Sequence, residues 1–186
     1  MNIVKKIMMT LAAVLCCAMT TTVFTSCGSD DDDNSNTQKP DNSLVAVQMN
    51  YVIETTQATL NIADVTVEYY DADGKIQSEA LTGEKWQKSI QHKLPATVGI
   101  HLKAPLKAGF DVDNSEAVEI SLTRGYDGYF VDAQGGRTRL PVSETIGTKI
   151  STKSKRFPDW LAASNNMLPV LYIFDAKGQY TNGTWE

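Results

Sequence analysis

Cysteine is nearly absent from this 186-residue chain, and its positions matter more than its number. The three cysteines stand at 16, 17 and 27, so nothing after position 27 can form a disulfide, a thiolate metal site or a cysteine nucleophile. Beyond that point the fold must be held by burial. Histidine is almost as scarce, with only His92 and His101. No third ligand accompanies them, so a histidine-based zinc or catalytic site is not expected. The chain also lacks basic excess: 17 lysines and arginines face 22 acids, and residues 43–186 hold 14 against 17. Without a basic footprint, nucleic acid is not an expected partner. No G-x-S-x-G elbow, H-E-x-x-H, P-loop or dinucleotide fingerprint occurs, and the chain is not expected to be an enzyme. Paired carboxylates stay open, because their partners can be distant in the chain.

Apolar length is limited too. The start, MNIVKK, carries Lys5 and Lys6, and the apolar run from Ile7 to Met19 stops at Thr20, Thr21 and Thr22. A spanning helix needs about 20 apolar residues. A positive start, a short apolar middle and small residues after it predict a secretory signal peptide over 1–26. The residues Phe24-Thr25-Ser26-Cys27 resemble the lipobox of bacterial lipoproteins, with Phe24 where leucine is commoner. Cys16 and Cys17 are poorer matches, since Leu15 and Cys16 precede them. The run Asp30 to Asp33 resembles the acidic export signal of Bacteroidetes-type surface lipoproteins. This resemblance implies a covalent lipid on Cys27, membrane attachment through that lipid, and an outer-membrane location at the cell surface. Each buried methylene contributes about 0.8 kcal/mol, so the three acyl chains of that modification would make release negligible. Residues 27–42 then form an acidic tether with too little apolar surface to fold. Residues 43–186 form one domain.

In that domain the hydrophobic period is two. Val45, Val47, Met49, Tyr51 and Ile53 alternate with Gln48, Asn50 and Glu54, predicting a half-buried strand. Ala58, Leu60 and Ile62 repeat the alternation, as do Val65–Tyr69, Ile76–Leu81, Trp86–Ile90, Val98–Leu102 and Val118–Leu122. LPVLYIF (168–174) is apolar on both faces, as a central strand would be. DADG (71–74), DAQG (132–135) and DAKG (175–178) supply Asp and a left-handed Gly for tight hairpins. One short helix is expected near 158–165, with Pro158 and Asp159 in its first turn. The sum is an all-β, antiparallel β-sandwich, with a closed β-barrel as the alternative. ADVTVEYYDADGKIQSEALTGEKW (63–86) resembles the immunoglobulin- or transthyretin-like sandwiches of small Bacteroidetes lipoproteins, which implies that fold and no active site.

Three candidate sites follow. RGYDGYF reads as a Gly-Tyr loop in which Tyr126 and Tyr129 could stack on a sugar while Arg124 and Asp127 reach its hydroxyls. Trp185, close to the last residue, is hard to bury and joins that list; the competing reading places these aromatics in the core. Asp71, Asp73, Asp111 and Asp113, with Asn114 and Glu116, offer oxygen ligands for calcium. No EF-hand follows, since its bidentate twelfth position would be Leu122, and turn chemistry explains these residues more simply. Six basic residues between Arg137 and Arg156 could meet an acidic surface, with a solvated loop as the default. The functional expectation is a lipid-anchored binding module without catalysis, taking a glycan or an envelope protein. The alternative is a structural or adhesive subunit that assembles through sheet edges.

Overall fold

The computed structural model of the protein describes residues 42–111, 117–167 and 169–185. The signal peptide, Cys27, nearly all of the tether, Asp113, Asn114 and Glu116 lie outside the described residues.

Two antiparallel sheets pack face to face. The first takes β1 (Leu44–Thr55), β4 (Lys85–Lys93), β6 (Val118–Asp132), β7 (Arg137–Arg139) and β8 (Glu144–Thr152), in the order β4-β1-β6, with β7 and β8 sharing the far edge of β6. The second takes β2 (Thr66–Tyr70), β3 (Ile76–Ala80), β5 (Ala96–Lys103), β9 (Val170–Phe174) and β10 (Tyr180–Asn182), in the order β10-β9-β5-β2-β3. The sheets remain separate, so the architecture is an all-β sandwich and the closed barrel is ruled out. Alternation makes the core: Val47, Met49, Tyr51 and Ile53 of β1 face Val67 and Tyr69 of β2 and Val98, Ile100 and Leu102 of β5. LPVLYIF does form an interior strand of its sheet, but Ile173 points outward and is 47% exposed.

One predicted strand is a helix. Residues 57–62 form α1 (Gln57–Ile62), where Thr56 caps the start by accepting a hydrogen bond from the Thr59 amide at 3.2 Å. Its hydroxyl is also 2.9 Å from that of Thr59, which in turn bonds Ser121 on β6. A Thr-x-x-Thr cap outweighs three alternating apolar residues because a six-residue element has too little pattern to decide by. The second helix, α2 (Phe157–Met167), begins where expected, with Pro158 and Asp159 in its first turn, and buries Phe157 and Leu161.

The three Asp-x-x-Gly tetrapeptides are one turn used three times. In each, the Asp carbonyl accepts from the Gly amide, and the Asp carboxylate accepts from the amides two and four residues on, all within 2.7–3.1 Å. Gly74, Gly135 and Gly178 take φ near +80°. All three turns lie at the pole where β1 begins. The Ala133 amide bonds Ser43, the 175–178 turn packs on Leu44, and the 71–74 turn sits over His92 and Lys93. The longer connections, including both helices, gather at the other pole.

Candidate functional site

The inward faces of the two sheets carry the buried core. The outer face of the first sheet is polar and strictly registered. Crossing it strand by strand, Gln91, Gln48, Tyr129 and Arg139 form one row, and Ser89, Asn50 and Asp127 the next. Gln87, Val52, Gly125 and Thr145 form the third, then Lys85, Glu54, Thr123 and Gly147. Val52, Gly125 and Thr145 of the third row, short side chains or none, form the floor of a depression of about 630 Å³. Asn50 and Asp127 make one wall, extended by Arg139 and Ser143; Lys85, Glu54 and Thr123 make the other, and Glu144 stands at the rim.

The first wall is fixed before any ligand arrives. The Gln48 amide donates to Ser89 Oγ at 2.8 Å, Ser89 Oγ donates to Asn50 Oδ1 at 2.7 Å, and Asn50 Nδ2 donates to Asp127 Oδ1 at 2.7 Å. In the second wall Lys85 Nζ lies 3.1 Å from Glu54 Oε1. Asp127 and Arg139 take part in no ion pair among the described residues.

The five residues singled out for a sugar are not brought together. RGYDGYF is no loop: it is the middle of β6, and strand alternation sends Arg124 and Tyr126 inward and Asp127 and Tyr129 outward. Arg124 is 1% exposed, ion-paired with Glu144, and 5.3 Å from the Tyr126 ring centroid. Burial pulls its pKa down, opposed by Glu144. The Tyr126 hydroxyl meets that of Tyr172 at 2.7 Å, and burial pushes its pKa up. The glycines that suggested a loop mark close approach instead: a β-carbon at Gly128 would stand 2.5 Å from the Gln48 carbonyl oxygen and 2.7 Å from Leu140. Asp127 and Tyr129 do reach the polar face.

Trp185 sits on the outer face of the other sheet, half-buried. Its ring packs 5.3 Å from Tyr70 and 5.5 Å from His101, and its indole N–H bonds the Val170 carbonyl at 2.8 Å. It clamps the segment after β10 onto the sheet. His101 is wedged between this ring and Glu68, and burial lowers its pKa. His92 is 2% exposed beneath the 71–74 turn.

Of the calcium candidates, Asp71 is engaged by its own turn. The Asp71 carboxylate accepts from the Asp73 and Lys75 amides and from Gln77 Nε2, and these bonds hold its pKa below the usual range. Asp111 is exposed, and no group of three metal-ligating side chains converges among the described residues. The six basic residues do not form one patch. Arg137 and Arg139 pair with the end of β6, whereas Lys149 pairs near its beginning and is bonded to Glu119.

Sequence reasoning had placed Gln48, Asn50 and Glu54 on the solvent face. It missed Val52, Ser89, Gly125 and Thr145, because only the strand register aligns positions so far apart. No family model matches this chain, and neither a curated protein nor a solved structure does.

Proposed function

We propose that this chain is a lipid-anchored binding module of the cell envelope, without catalysis, that holds a glycan in the groove on the outer face of its first sheet. The observation that carries the reading is the groove's cross-section: a low floor of Val52, Gly125 and Thr145 between two hydrogen-bonding walls. A sugar ring is built the same way, with C–H faces and a rim of hydroxyls. Desolvating the apolar face against Val52 while the rim meets Asn50, Asp127, Glu54 and Thr123 satisfies both parts at once. A pre-bonded wall also loses little side-chain freedom on binding. The residues that hold the module in place are Cys27, as the lipidated position after a signal peptide of 1–26, and the acidic tether of 27–42. The membrane is outer, and the exposed side is the cell surface.

Assembly through sheet edges has less in its favour. Lys88 on the edge strand β4 and Glu79 on the edge strand β3 both turn inward and bond each other, and inward charge on an edge strand opposes addition of a further strand.

The test is retention of the full-length chain on a panel of immobilised polysaccharides, beside Asp127→Ala. We expect one polysaccharide class to retain the chain and the variant to be washed off it. Equal retention of both would refute the groove as the site. Membrane attachment is checked separately with Cys27→Ala, which should move the chain from the membrane fraction to the soluble one.

A further inference from the structure

We infer that the groove takes the interior of an extended glycan chain lying across the strands, about one sugar ring per strand. This rests on the glycan reading of the same groove and specifies what kind of glycan it takes.

Direction comes from the floor. It runs perpendicular to the strands, from Val52 on β1 through Gly125 on β6 to Thr145 on β8. Neighbouring strands are about 4.8 Å apart, so this floor is about 10 Å long. Its spacing is close to the advance of one ring along an extended, β-linked chain, so successive rings meet successive strands. Width agrees with this. The wall rows are four residues apart along each strand, about 13 Å between backbones, and their side chains narrow that gap to roughly the breadth of one ring.

Both ends are open. β4 and β8 are edge strands of the first sheet among the described residues, and the depression reaches each of them, at Lys85 and at Thr145. Gln87, the β4 member of the same row, is exposed and outside the lining, and beyond Thr145 the sheet ends. Recognition of a chain terminus needs a wall across the path. This groove has walls only along it, so a polymer can enter and leave at either edge. Hydroxyls on the two sides of an extended chain alternate along its length, which suits hydrogen-bonding groups on both walls. A chain that coils presents its hydroxyls on a curved surface and would leave one wall unused.

The test is calorimetric titration of the full-length chain with β-linked oligosaccharides of glucose, xylose, mannose and N-acetylglucosamine, from one ring to six. α-Linked and anionic oligosaccharides serve as comparisons. We expect affinity for one β-linked series to rise at least tenfold between two rings and four and then level off. A chemical block on the terminal ring of the hexamer should leave that affinity unchanged. Asp127→Ala and Glu54→Ala remove one wall each, and both should weaken the four-ring ligand at least tenfold. Ile173→Ser, on the other sheet, should not. The inference falls if single rings bind as tightly as four, if the terminal block abolishes binding, if only one wall matters, or if α-linked chains are preferred; each of these leaves a glycan in the groove. Failure of every glycan to bind removes the glycan reading and this inference with it.

Discussion

Glu79 holds together the side of the sandwich where the two edge strands β3 and β4 face each other, and its removal should cost a readable amount of stability. Its carboxylate accepts from the Tyr69 hydroxyl, the Lys88 ammonium and the Trp86 indole N–H, the last at 2.8 Å. Lys88 also lies 4.2 Å from the centre of the Tyr69 ring. These bonds, led by that from Lys88, hold the Glu79 pKa at about 2, against an ordinary value of 4.5. At face value that depression corresponds to about 3 kcal/mol. The Glu79 side chain is 40% exposed, however, so water screens much of the attraction, and about 1–1.5 kcal/mol is the better expectation. Glu79→Gln keeps the shape and removes the charge. It should lower Tm at pH 7 by about 3–5 °C.

The pH dependence supplies the sharper check. Above 4.5 both folded and unfolded chains carry Glu79 ionised, and the stabilisation is complete. Between 4.5 and about 2 the unfolded chain takes up the proton first, so the stabilisation is lost as pH falls. The variant has nothing to titrate there. Urea unfolding of both proteins at pH 7, 5 and 3 should therefore show a gap that is constant from 7 to 5 and clearly smaller at 3. A gap that persists unchanged at pH 3, or none at pH 7, would refute the electrostatic account of this cluster.

Three further outcomes are expected. Gly128→Ala drives a methyl group into the Gln48 carbonyl and Leu140, so it should destabilise by about 1–3 kcal/mol in urea titration, although Ala is ordinarily the better strand residue. Thr56→Ala removes the cap of α1 and should cost about 1 kcal/mol in the same assay. Burial lowers the pKa of His92, opposed by Asp71, so the unfolded chain binds its proton first as pH falls below 6.5. Stability should drop over that interval by at most about 1.4 kcal/mol per pH unit, and His92→Gln should flatten the drop in thermal melts from pH 7 to 5.

What could be read from sequence was whatever is decided locally and repeated often. In β1 the alternation holds for Val47, Met49, Tyr51 and Ile53, while Val45, expected on the same face, is 43% exposed because the register shifts between Leu44 and Ala46; β5 stands where it was expected. The Asp-x-x-Gly turns carry their own hydrogen bonds, so they too were legible. RGYDGYF was misread because glycine is ambiguous: at Gly128 it marks where other segments come close, among them Gln48 and Met49, 79 or more residues away. The groove was invisible for the same reason. Asn50, Ser89 and Asp127 become one wall only through the pairing of three strands, and no local pattern announces that pairing.

The turns that close one pole have a mechanical consequence. The chain enters the domain at that pole, through Leu44, and runs at once into β1, which is bonded along its length to β4 on one side and β6 on the other. Ladder bonds lie perpendicular to the strands. A pull on the chain upstream of Leu44 is therefore directed along β1 and loads both ladders in shear, so their bonds resist together and not one after another. The groove crosses the same three strands. Under the proposed reading, restraint from an anchor would load β1 lengthwise, while drag on a polymer lying across the strands would load the same sheet at right angles to it, so only the first would be borne by both ladders in shear.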